Sequence, residues 1–521
     1  MKLKMTVKPS DPLLVGIDGG TEGVRVGLFD ATGVLLSIAR HPYATRFPRA
    51  GWAEQDPGDW WTGVVGGIRS VIAQSGVDPA RIAGIATAAT SFTMVCVDAH
   101  DNPLRPALMW MDSRASVEAA EIAATGSPAL RYSGGSQASA EWMLGKAMWL
   151  RRHEPATYAA TTWFADYAEW VAFRLTGERA ASADSAAIRC YYDRLRGGWP
   201  TDLWDAVGLP DLRRRVPDRV VLMGDVVGHL SPAAAEVLGL PAGVPVAEGG
   251  ADAFVAMLGL GVTQPGSLAM VTGSSHVHML QTAQPRYTEG LFGSYTDAVV
   301  PGQFTIEGGQ ITTGAMVSWY ARLLQAGPVE PGDSHQLFET LNQQATQLPP
   351  GSEGVVALDY WQGNRTPHVD PHARGMVWGL SLSHGPHHVF RALIESVCYG
   401  TEGIIRTMRA AGNPVDEIVA CGGALNSPLW VQIHADVSGL PIRTTGSTDV
   451  AVLGAAVLAA TGAGLYASTV DAVAAMVHPG GVVEPRPEMT AAYRPWVDLY
   501  QEAYAAMKPL LHRASALAAR D

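Results

Sequence analysis

An apolar strand that ends in a glycine-rich polar turn and returns as a second strand occurs near the start of both halves of this chain. The first copy covers residues 13–29 and turns through Asp-Gly-Gly-Thr-Glu-Gly. The second covers residues 267–280 and turns through Thr-Gly-Ser-Ser. Tight polar turns between two apolar runs predict β-hairpins. The recurrence predicts two halves of related fold, although the two copies share little identity.

Turns of this kind are suited to phosphate. Their backbone N–H groups can converge on phosphate oxygens, and glycine lets the phosphate come close. An ordinary hairpin would account for either turn alone, and the lysine and following helix of a Walker-type loop are absent. Asp18 at the strand end, followed by Thr21, favours a nucleotide site. A third glycine turn at 422–424 lies between an apolar strand and a helix, where free N–H groups suit a ligand.

A carboxylate follows another pair of glycines near the middle of the chain. The apolar run 244–246 leads to Gly249 and Gly250, then to Asp252, and then to a helix-like run from Ala253. Aspartate is a preferred N-cap residue, so capping of this helix is the simplest interpretation. The alternative is a carboxylate at the mouth of a helix that reaches into a cleft. The motif alone does not decide between them.

The length of the chain predicts more than one domain. Its 521 residues are too many for one ordinary hydrophobic core. Turn-forming residues are dense at 261–266, which predicts domains over 1–260 and 261–521. Strands, hairpins and helices alternate as in a mixed α/β domain, and residues 118–177 are predicted to be mostly helical.

Charge and cysteine content restrict the class of protein. The 37 basic and 49 acidic residues give a net charge of −12, which argues against broad binding to nucleic acid. The four cysteines lie far apart without metal-binding spacing, which favours core positions in a reducing cytoplasm. Residues 1–5 lack the apolar run of a signal peptide. Glycines interrupt the apolar run 451–467, which predicts a buried helix rather than a membrane span.

A signature in the second half matches a known family. Residues 375–380, Gly-Met-Val-Trp-Gly-Leu, are followed after seven residues by His-Val and then by Ala-Leu-Ile-Glu, which ends at Glu395. This agrees in every constrained position with the C-terminal signature of the FGGY carbohydrate kinases. The chain resembles that family over nearly its whole length. Further matches occur in the expected order at 18–21, 52–57, 110–114 and 422–424.

The resemblance implies an α/β fold of two actin-like, ribonuclease H-like ATPase domains with a cleft between them. Domain 1–260 would bind the sugar and supply the catalytic base, and domain 261–521 would bind the nucleotide. The implied reaction is transfer of the ATP γ-phosphoryl group, with Mg2+, to a hydroxyl of a ketose. A cytoplasmic enzyme with a small-molecule sugar substrate is expected, without nucleic-acid or membrane partners. Many relatives are homodimers, and a homodimer is an expectation here.

The resemblance also assigns site residues. Asp252 would be the general base for the sugar hydroxyl, and Asp18 would organise the magnesium ion. The sugar contacts would be Ser91, Trp142, Asp252 and Glu307, and the nucleotide contacts would be Gly20, Thr21, Gly273, Ser274, Gly314, Gly423 and Asn426. Core packing of Trp142 and a turn or cap role for Asn426 are the structural alternatives.

Within the family the chain is most similar to the ribulokinase-like branch, which implies a pentulose substrate, ribulose or xylulose. Ribulose-phosphorylating relatives tend to carry a lysine in the stretch that matches 189–193, and this chain has none. Arg189 or Arg194 could replace it. An alditol or a four- or six-carbon ketose therefore stays open as substrate, as does a non-catalytic regulator of the same fold. The similarity to the ribulokinase-like branch rests on residues 139–142, 307–310 and 358–367.

Two further groups receive structural interpretations. Asp112 and Arg114 are predicted to form an ion pair near the cleft. His276 and His278 alternate on a predicted strand, and three histidines cluster at 384–388. Zinc binding by these histidines is disfavoured because no cysteine or carboxylate completes a convincing ligand set.

Overall fold

A large mixed β-sheet forms the framework of the first half. The computed structural model describes residues 11–135, 137–325 and 333–518. The strands of this half are β1 (Leu13–Gly19), β2 (Gly23–Asp30), β3 (Leu35–Pro42), β4 (Glu54–Gln55), β5 (Ile82–Ala89), β6 (Met94–Val97), β7 (Ala107–Leu108), β8 (Trp163–Asp166), β9 (Ala181–Ser182), β10 (Val220–Val221), β11 (Val226–His229) and β12 (Pro245–Ala251). Six of them form the main sheet in the order β11-β12-β5-β1-β2-β3.

The first predicted hairpin is confirmed. Strands β1 and β2 pair antiparallel, with Leu13 opposite Asp30 and Gly19 opposite Val24. Strand β5 runs parallel to β1, and β12 runs parallel to β5. The carboxyl ends of β1, β5 and β12 therefore share one edge of the sheet, which is where open α/β sheets bind ligands.

The second half has a sheet with the same central arrangement. Its strands are β13 (Gly266–Thr272), β14 (His276–Thr282), β15 (Phe292–Thr296), β16 (Phe304–Gln310), β17 (Val356–Leu358), β18 (Met376–Trp378), β19 (Val415–Gly422), β20 (Ile442–Thr445) and β21 (Pro479–Val483). Seven of them form a sheet in the order β15-β16-β14-β13-β19-β20-β21. Strand β13 pairs antiparallel with β14 and parallel with β19, just as β1 pairs with β2 and β5. The prediction of two halves of related fold is confirmed by this pairing.

Helices connect and cover the two sheets. They are α1 (Pro57–Ser75), α2 (Ser116–Ala124), α3 (Met143–His153), α4 (Pro155–Ala160), α5 (Tyr167–Thr176), α6 (Ala183–Cys190), α7 (Thr201–Ala206), α8 (Pro232–Leu238), α9 (Asp252–Gly259), α10 (Gly314–Leu324), α11 (Asp333–Thr346), α12 (Pro386–Ala410), α13 (Pro428–Ser438), α14 (Val450–Gly462), α15 (Thr469–Met476) and α16 (Pro487–Ala518). Short helices at strand ends, such as α9, position polar side chains at the edges of the sheets.

Helix α14 belongs to the second half by sequence but packs on the first sheet. A Cβ atom on Gly16 of β1 would lie 2.2 Å from the carbonyl oxygen of Val452. A Cβ atom on Gly454 would lie 2.1 Å from the carbonyl oxygen of Val255 in α9. Glycine at both positions lets α14 approach β1 and α9 closely. The buried helix predicted over 451–467 is confirmed, although it is shorter than the apolar run.

The segment 118–177 is mostly helical, as predicted, but it is not entirely so. Besides helices it contributes strand β8, which pairs antiparallel with β6 so that Trp163 lies opposite Val97. These strands belong to a smaller sheet in the order β4-β7-β6-β8. A short apolar run of this kind cannot be assigned to helix or strand by periodicity alone.

All four cysteines are free and buried, as predicted: Cys96, Cys190, Cys398 and Cys421. Among the helices that the structure describes, none combines the length and apolar composition needed to cross a bilayer. The prediction about a signal peptide concerns residues 1–5, which lie outside the described residues.

Candidate active site

A cavity of about 390 Å3 opens where the two halves meet. It lies at the carboxyl ends of β1, β5 and β12 on one side and at the turn between β13 and β14 on the other. The structure brings six of the predicted site residues together in its wall: Asp18, Thr21, Ser91, Asp252, Gly273 and Glu307.

Strand β5 determines how the two central carboxylates are placed. Its Ala88 lies opposite Asp18 of β1 on one side and opposite Gly250 of β12 on the other. Asp252 follows two residues after Gly250. The negative charge of Asp18 contributes to raising the pKa of Asp252, so the two carboxylates are close enough to interact.

The prediction that Asp252 is the N-cap of a helix is wrong in position. The N-cap of α9 is Ala251, and Asp252 is the first helical residue. Its Oδ1 accepts a hydrogen bond from the N–H of Ala253 at 2.7 Å, which leaves the other carboxylate oxygen for the cavity. Burial of the carboxylate, followed by the charge of Asp18, raises the pKa of Asp252 to about 7. A pKa near the working pH suits a general base.

Asp18 has the features of a group that organises a cation. It is fully buried and pairs with Arg25, with 2.5 Å between Oδ2 and Nη2. Burial raises the pKa of Asp18, while the guanidinium of Arg25 opposes the shift. Its Oδ1 has no hydrogen-bond partner among the described residues. A buried carboxylate oxygen of this kind in a cavity wall fits a role towards hydrated Mg2+.

The first phosphate turn is held by hydrogen bonds from neighbouring motifs. The N–H of Gly20 donates to the carbonyl of Gly23 at 3.0 Å and closes the turn. Trp110 Nε1 donates to Thr21 Oγ1 at 3.1 Å, and Gln55 Nε2 donates to the Thr21 carbonyl at 2.7 Å. Thr21 faces the cavity, and the family motifs at 52–57 and 110–114 act on it directly.

The second phosphate turn rests on the start of α10. The N–H of Thr313 donates to the Ser274 carbonyl at 2.9 Å, and the N–H of Gly314 donates to the Gly273 carbonyl at 3.1 Å. A Cβ atom on Gly314 would lie 2.5 Å from the same Gly273 oxygen, so a side chain there would displace the turn. Gly273 and Ser274 are exposed, while Gly314 lies behind them and does not line the cavity. Its nucleoside contact stays a prediction.

The third glycine turn closes the same edge of the second sheet. Gly422 lines the cavity with a φ of 97°, and a Cβ atom there would lie 1.9 Å from the Thr272 carbonyl oxygen. The N–H of Ala424 donates to Thr272 Oγ1 at 3.1 Å, which joins this turn to β13. Gly423 and Asn426 are exposed beyond it. Their contacts with a nucleoside stay predictions.

Aromatic side chains support the wall near Ser91. The ring of Phe92 lines the cavity, and Trp142 stacks behind it with a ring-centroid distance of 6.0 Å. Trp142 is 2% exposed and also packs against Tyr191 at 4.6 Å. Its side chain therefore lies in the core position that was the alternative, behind the cavity wall.

A buried lysine joins two walls of the cavity. Lys146 Nζ donates to the carbonyls of Phe92 and Met109, each at 2.7 Å. Burial lowers the pKa of Lys146 to about 8. The two bonds hold the segment of Ser91 next to the segment of Trp110.

Glu307 lies next to an arginine that the sequence analysis did not assign to the site. Arg365 Nη2 donates to Glu307 Oε1 at 2.9 Å, and its guanidinium lies 4.9 Å from the ring centroid of Phe292. Burial raises the pKa of Glu307, while Arg365 opposes the shift. The charge of Glu141 acts on both groups, so a second carboxylate is nearby. Paired carboxylate and guanidinium groups suit the hydroxyls of a sugar.

The structure places neither of the arginines suggested as lysine replacements in the cavity wall. Arg189, in α6, is fully buried and forms an ion pair with Glu169 of α5. Arg194 pairs with Asp297, with 2.5 Å between Nη2 and Oδ2. The arginine beside Glu307 is Arg365.

Sequence reasoning missed part of the cavity wall. Arg365 and Trp110 lie in motifs that were recognised, but the pattern did not show that their side chains turn into the cavity. Arg25 follows the first turn at strand spacing, which could have indicated that it shares the side of Asp18. The missed lining residues include Arg25, Thr90, Phe92, Trp110, Phe254, Val277 and Arg365.

The sequence also predicted an ion pair of Asp112 with Arg114 and no metal site among the histidines, and these two predictions have different outcomes. The ion pair of Asp112 and Arg114 is confirmed, with 2.8 Å between Oδ2 and Nη2. The statement that no carboxylate completes a histidine set is wrong, because Glu353 lies with His384 and His388 within 4.8 Å.

That group is nonetheless a poor metal site. His388 Nδ1 accepts the Gly385 N–H at 3.0 Å, and His384 Nδ1 accepts the Ser381 N–H at 2.9 Å. In each neutral ring the proton is therefore on Nε2, which opposes metal binding there.

The fold is that of sugar kinases of known structure. A xylulose kinase from Rhodospirillum rubrum superposes with a TM-score of 0.87 at 28% identity, covering 96% of this chain and all of the other. A xylulose kinase from Brucella ovis gives 0.86 at 25% identity over the same share of this chain. Fold and site together define a two-domain sugar kinase of the actin-like ATPase class, as the sequence predicted.

The chain belongs to the FGGY family of carbohydrate kinases. The N-terminal domain model of this family matches residues 13–259, and the C-terminal domain model matches residues 268–463. A ribulokinase from Geobacillus thermodenitrificans is 33% identical over 94% of this chain and 93% of its own length. A human FGGY carbohydrate kinase domain-containing protein is 31% identical over 91% of this chain and 92% of its own length. The protein is therefore an ATP-dependent carbohydrate kinase, and the predicted family and enzyme class are confirmed.

Proposed function

We propose that this carbohydrate kinase phosphorylates a pentulose, ribulose or xylulose, with Asp252 as general base. The observation that carries this proposal is the carboxylate of Asp252, whose pKa is raised to about 7, in the same cavity as Asp18 and Glu307. Relatives named ribulokinase and structures named xylulose kinase support the choice of a five-carbon ketose.

The chemical step needs one proton acceptor. The oxygen of a sugar hydroxyl attacks the γ-phosphorus of ATP, and its proton passes to the carboxylate of Asp252. The bond between the γ-phosphorus and the β,γ-bridging oxygen breaks, and ADP leaves with the electron pair. The hydrogen bond from Ala253 keeps one carboxylate oxygen fixed while the other accepts the proton.

The phosphate end of the cavity would neutralise and position the transferred group. A magnesium ion would supply positive charge to the phosphate oxygens, with Asp18 as the residue that holds its water shell. The backbone N–H groups of Thr21 and Ser274 would face the β- and γ-phosphates. The N–H groups of Gly20 and Gly273 close the two turns by donating to the carbonyls of Gly23 and Ser275, so these glycines would serve by letting the phosphates come close. Gly314, Gly423 and Asn426 would lie on the nucleoside side, so residues 261–521 would carry most of the nucleotide contacts.

The opposite end would select the sugar. Ser91 and Glu307 offer polar groups there, and Arg365 favours the ionised form of Glu307 for hydrogen bonds to sugar hydroxyls, against the effect of burial. Trp142 would not touch the sugar itself; it would support Phe92, whose ring lines the cavity. Residues 1–260 supply Ser91 and the base, whereas Glu307 comes from the second half, so the sugar would be held between the halves.

The absence of the lysine keeps a second substrate class open. An alditol or a four- or six-carbon ketose would meet the same base and the same Arg365–Glu307 pair. A coupled assay of ADP release over D-ribulose, L-ribulose, D-xylulose, ribitol and erythritol distinguishes these classes. Turnover of a pentulose above the others is expected, and no turnover with any pentulose overturns the proposed substrate.

The base assignment needs a separate test. Asp252→Asn should lower kcat about 100-fold or more, the usual range for loss of a general base. Binding of ATP and sugar, measured by calorimetry on the same variant, should stay within a few fold of wild type. Wild-type turnover by this variant would overturn the assignment.

We further propose a homodimer in the cytoplasm. The four free thiols fit a reducing compartment, and the dimer rests on the resemblance to the family. Light scattering should give twice the chain mass of 55.1 kDa. A monomer mass at micromolar concentration would overturn the dimer.

A further inference from the structure

A second cavity, of about 610 Å3, also borders β16: Gln310 lines it, whereas Glu307 lines the catalytic cavity. Its walls are the carboxyl half of α12, the middle of α16 and the loop 360–368. No residue is shared between the lining of the two cavities. Nothing in the proposed reaction uses it.

The cavity exists because one face of α12 carries small side chains. Gly400, Gly403, Thr407 and Ala410 recur at spacings of three and four residues, and all four line the cavity. The facing wall consists of the aromatic rings of Tyr360 and Tyr500, whose centroids lie 6.0 Å apart. At Gly403 a Cβ atom would meet only Gln501 Nε2, at 3.7 Å, so this position faces open space, whereas at Gly400 the Gln310 side chain fills the place of a Cβ at 2.4 Å.

Polar groups without partners face this space. Asn364 is 7% exposed and lines the cavity. Its Oδ1 accepts the His368 N–H at 2.9 Å, but its amide nitrogen donates to no other residue in the described part of the chain. The Gln501 side chain lines the opposite wall, also without a hydrogen bond to a described residue. Asn364 is more than nine-tenths buried and makes only part of its hydrogen bonds, so its amide can take a partner from the cavity, whereas Gln501 is half-buried.

The charge around the cavity decides which ligands fit. The one guanidinium in its described wall, that of Arg406, is already paired with two carboxylates. Arg406 Nε lies 2.9 Å from Glu402 Oε1, and Nη1 lies 2.7 Å from Asp498 Oδ1. With its charge balanced by two acidic groups, this site disfavours phosphate. Aromatic rings with neutral amides and a hydroxyl suit an uncharged polyhydroxylated molecule.

One loop forms part of both cavities. Asn364 and Thr366 line the second cavity, while Arg365 between them lines the catalytic cavity and pairs with Glu307. Thr366 Oγ1 also accepts the N–H of Gly309 at 3.2 Å, two residues after Glu307. A ligand that holds Asn364 and Thr366 therefore also holds the loop that positions Arg365.

We propose that the second cavity is an effector site for an uncharged sugar or polyol, and that its occupation fixes the Arg365–Glu307 pair and so tightens sugar binding in the catalytic cavity. The location of the site is independent of the proposed pentulose function, whereas its effect on KM rests on that function.

Hydrogen–deuterium exchange on the full chain tests the location. The probes are ribitol, xylitol and D-ribose, each without nucleotide, with D-ribose 5-phosphate as the charged comparison. At least one neutral probe should slow exchange in peptides covering 400–411 and 496–504. Protection there by the phosphate ester alone would overturn the ligand class. Protection confined to peptides around Ser91 and Asp252 would overturn the site.

Two variants separate ligand binding from folding. A Cβ atom on Gly403 would lie 3.7 Å from Gln501 Nε2, so Gly403→Phe points into the cavity and should fill it. Gln501→Ala removes a donor without adding bulk, and it serves if Gly403→Phe fails to fold. Protection of 400–411 by the probe should be lost in either folded variant. Retained protection in Gln501→Ala and in a folded Gly403→Phe would overturn the site.

Kinetics test the coupling. A saturating concentration of the neutral probe should lower the wild-type KM for the sugar substrate about fivefold. This is the lower end of the usual coupling between two sites. The effect should vanish in Gln501→Ala, whose KM without probe should match wild type. Protection of 400–411 with an unchanged KM would overturn the coupling. If no sugar is phosphorylated, the proposed function fails while the exchange result stands.

Discussion

Asp18 and Asp252 approach the cavity from opposite sides of one strand. Ala88 of β5 lies opposite Asp18 in β1 and opposite Gly250 in β12, so the register of three parallel strands sets the two carboxylates at the same edge. Asp18 is fully buried and Asp252 is half-buried at the cavity wall, and the charge of Asp18 adds to the effect of desolvation on the pKa of Asp252. The pair therefore divides into a buried group beside Arg25 and a base that titrates near neutrality.

The pH dependence of the reaction should report Asp252. Its pKa is raised to about 7, and only the carboxylate form accepts a proton. With both substrates well below their KM values, kcat/KM should fall about tenfold per pH unit below 7 and level off above it. Steady-state kinetics from pH 5.5 to 8.5 measure this. A flat profile across that range would contradict the assignment, and Asp252→Asn should lose the inflection.

The hairpin turns and their residues could be predicted because they are local. Glycine and small polar residues between apolar runs indicate a turn wherever the chain later goes, and this located Thr21 and Gly273 in the cavity wall. The position of Asp252 was less well predicted, because Ala251 already has the extended conformation of an N-cap residue. Propensity alone could not show that the helix begins one residue earlier.

The side chains that the sequence did not place depend on distant contacts. Trp142 fills the core because Phe92, fifty residues earlier, covers it from the cavity. Arg365 lies in a recognised motif, but only the pairing of its loop with β16 turns it towards Glu307. Spacing along the chain carries no information about such contacts.

The position of α14 also depends on contacts that are distant in the sequence. Its apolar composition predicted burial, but not that it would pack on the sheet of the other half. The sequence does not show why residues 16 and 454 must be glycine. The reason is visible only in the structure, where the carbonyls of Val452 and Val255 occupy the places that side chains would need. Since Val450 and Ala451 also line the catalytic cavity, this helix links the two halves at the site.

Gly314→Ala should damage nucleotide binding through the phosphate turn. The added Cβ atom would lie 2.5 Å from the Gly273 carbonyl oxygen, so the turn must move. We expect the KM for ATP to rise about tenfold or more, since small displacements of positioning groups have effects of that size. The KM for the sugar should change little.

Gly481→Ala is the matched control for that variant. It lies in β21 of the same sheet, and the atom nearest to the position of its Cβ, Thr444 Oγ1, is at an ordinary contact distance of 3.7 Å. Its KM for ATP should stay within about threefold of wild type by the same positional argument. Equal effects of the two substitutions would contradict the steric explanation.

Arg365→Met should weaken sugar binding. It removes the partner at 2.9 Å that opposes the upward pKa shift of Glu307, so the carboxyl is protonated more readily and accepts weaker hydrogen bonds from the sugar. A hydrogen bond to a charged group contributes about 1.5–3 kcal/mol, so we expect the sugar KM to rise about tenfold or more, with the KM for ATP unchanged. Arg374→Met, at an exposed arginine nearby in the chain, should leave both constants unchanged.

A double-mutant cycle gives the coupling of that pair. Glu307→Gln leaves the Arg365 guanidinium without its carboxylate partner, and adding Arg365→Met removes that charge, so Arg365→Met should cost less in the Glu307→Gln background than in wild type. Additive effects on the sugar KM would show that the ion pair has no role in positioning Glu307.

Acid sensitivity of the second half should arise from a buried histidine cluster. His276, His278 and His434 are each at most 2% exposed, with ring centroids 6.1 Å apart for the first two and 5.7 Å for His276 and His434. Both nitrogens of His276 and of His434 lack partners among the described residues. Burial lowers the pKa of His278 and His434 to about 3 and that of His276 well below its usual value.

The sign of the effect follows from which state takes up protons. Between pH 6.5 and 3 the unfolded chain binds protons at these rings and the folded protein does not, so the free energy of unfolding falls as the pH falls. From pH 7.5 to 5.5 each such histidine should cost about 1.4 kcal/mol. His434→Phe keeps a ring stacked on Trp430 and should remove about one third of the cluster's contribution. Denaturant unfolding at both pH values measures this, with the exposed His100→Gln as control. An acid-induced loss of stability that is equal in wild type and His434→Phe would show that another group is responsible.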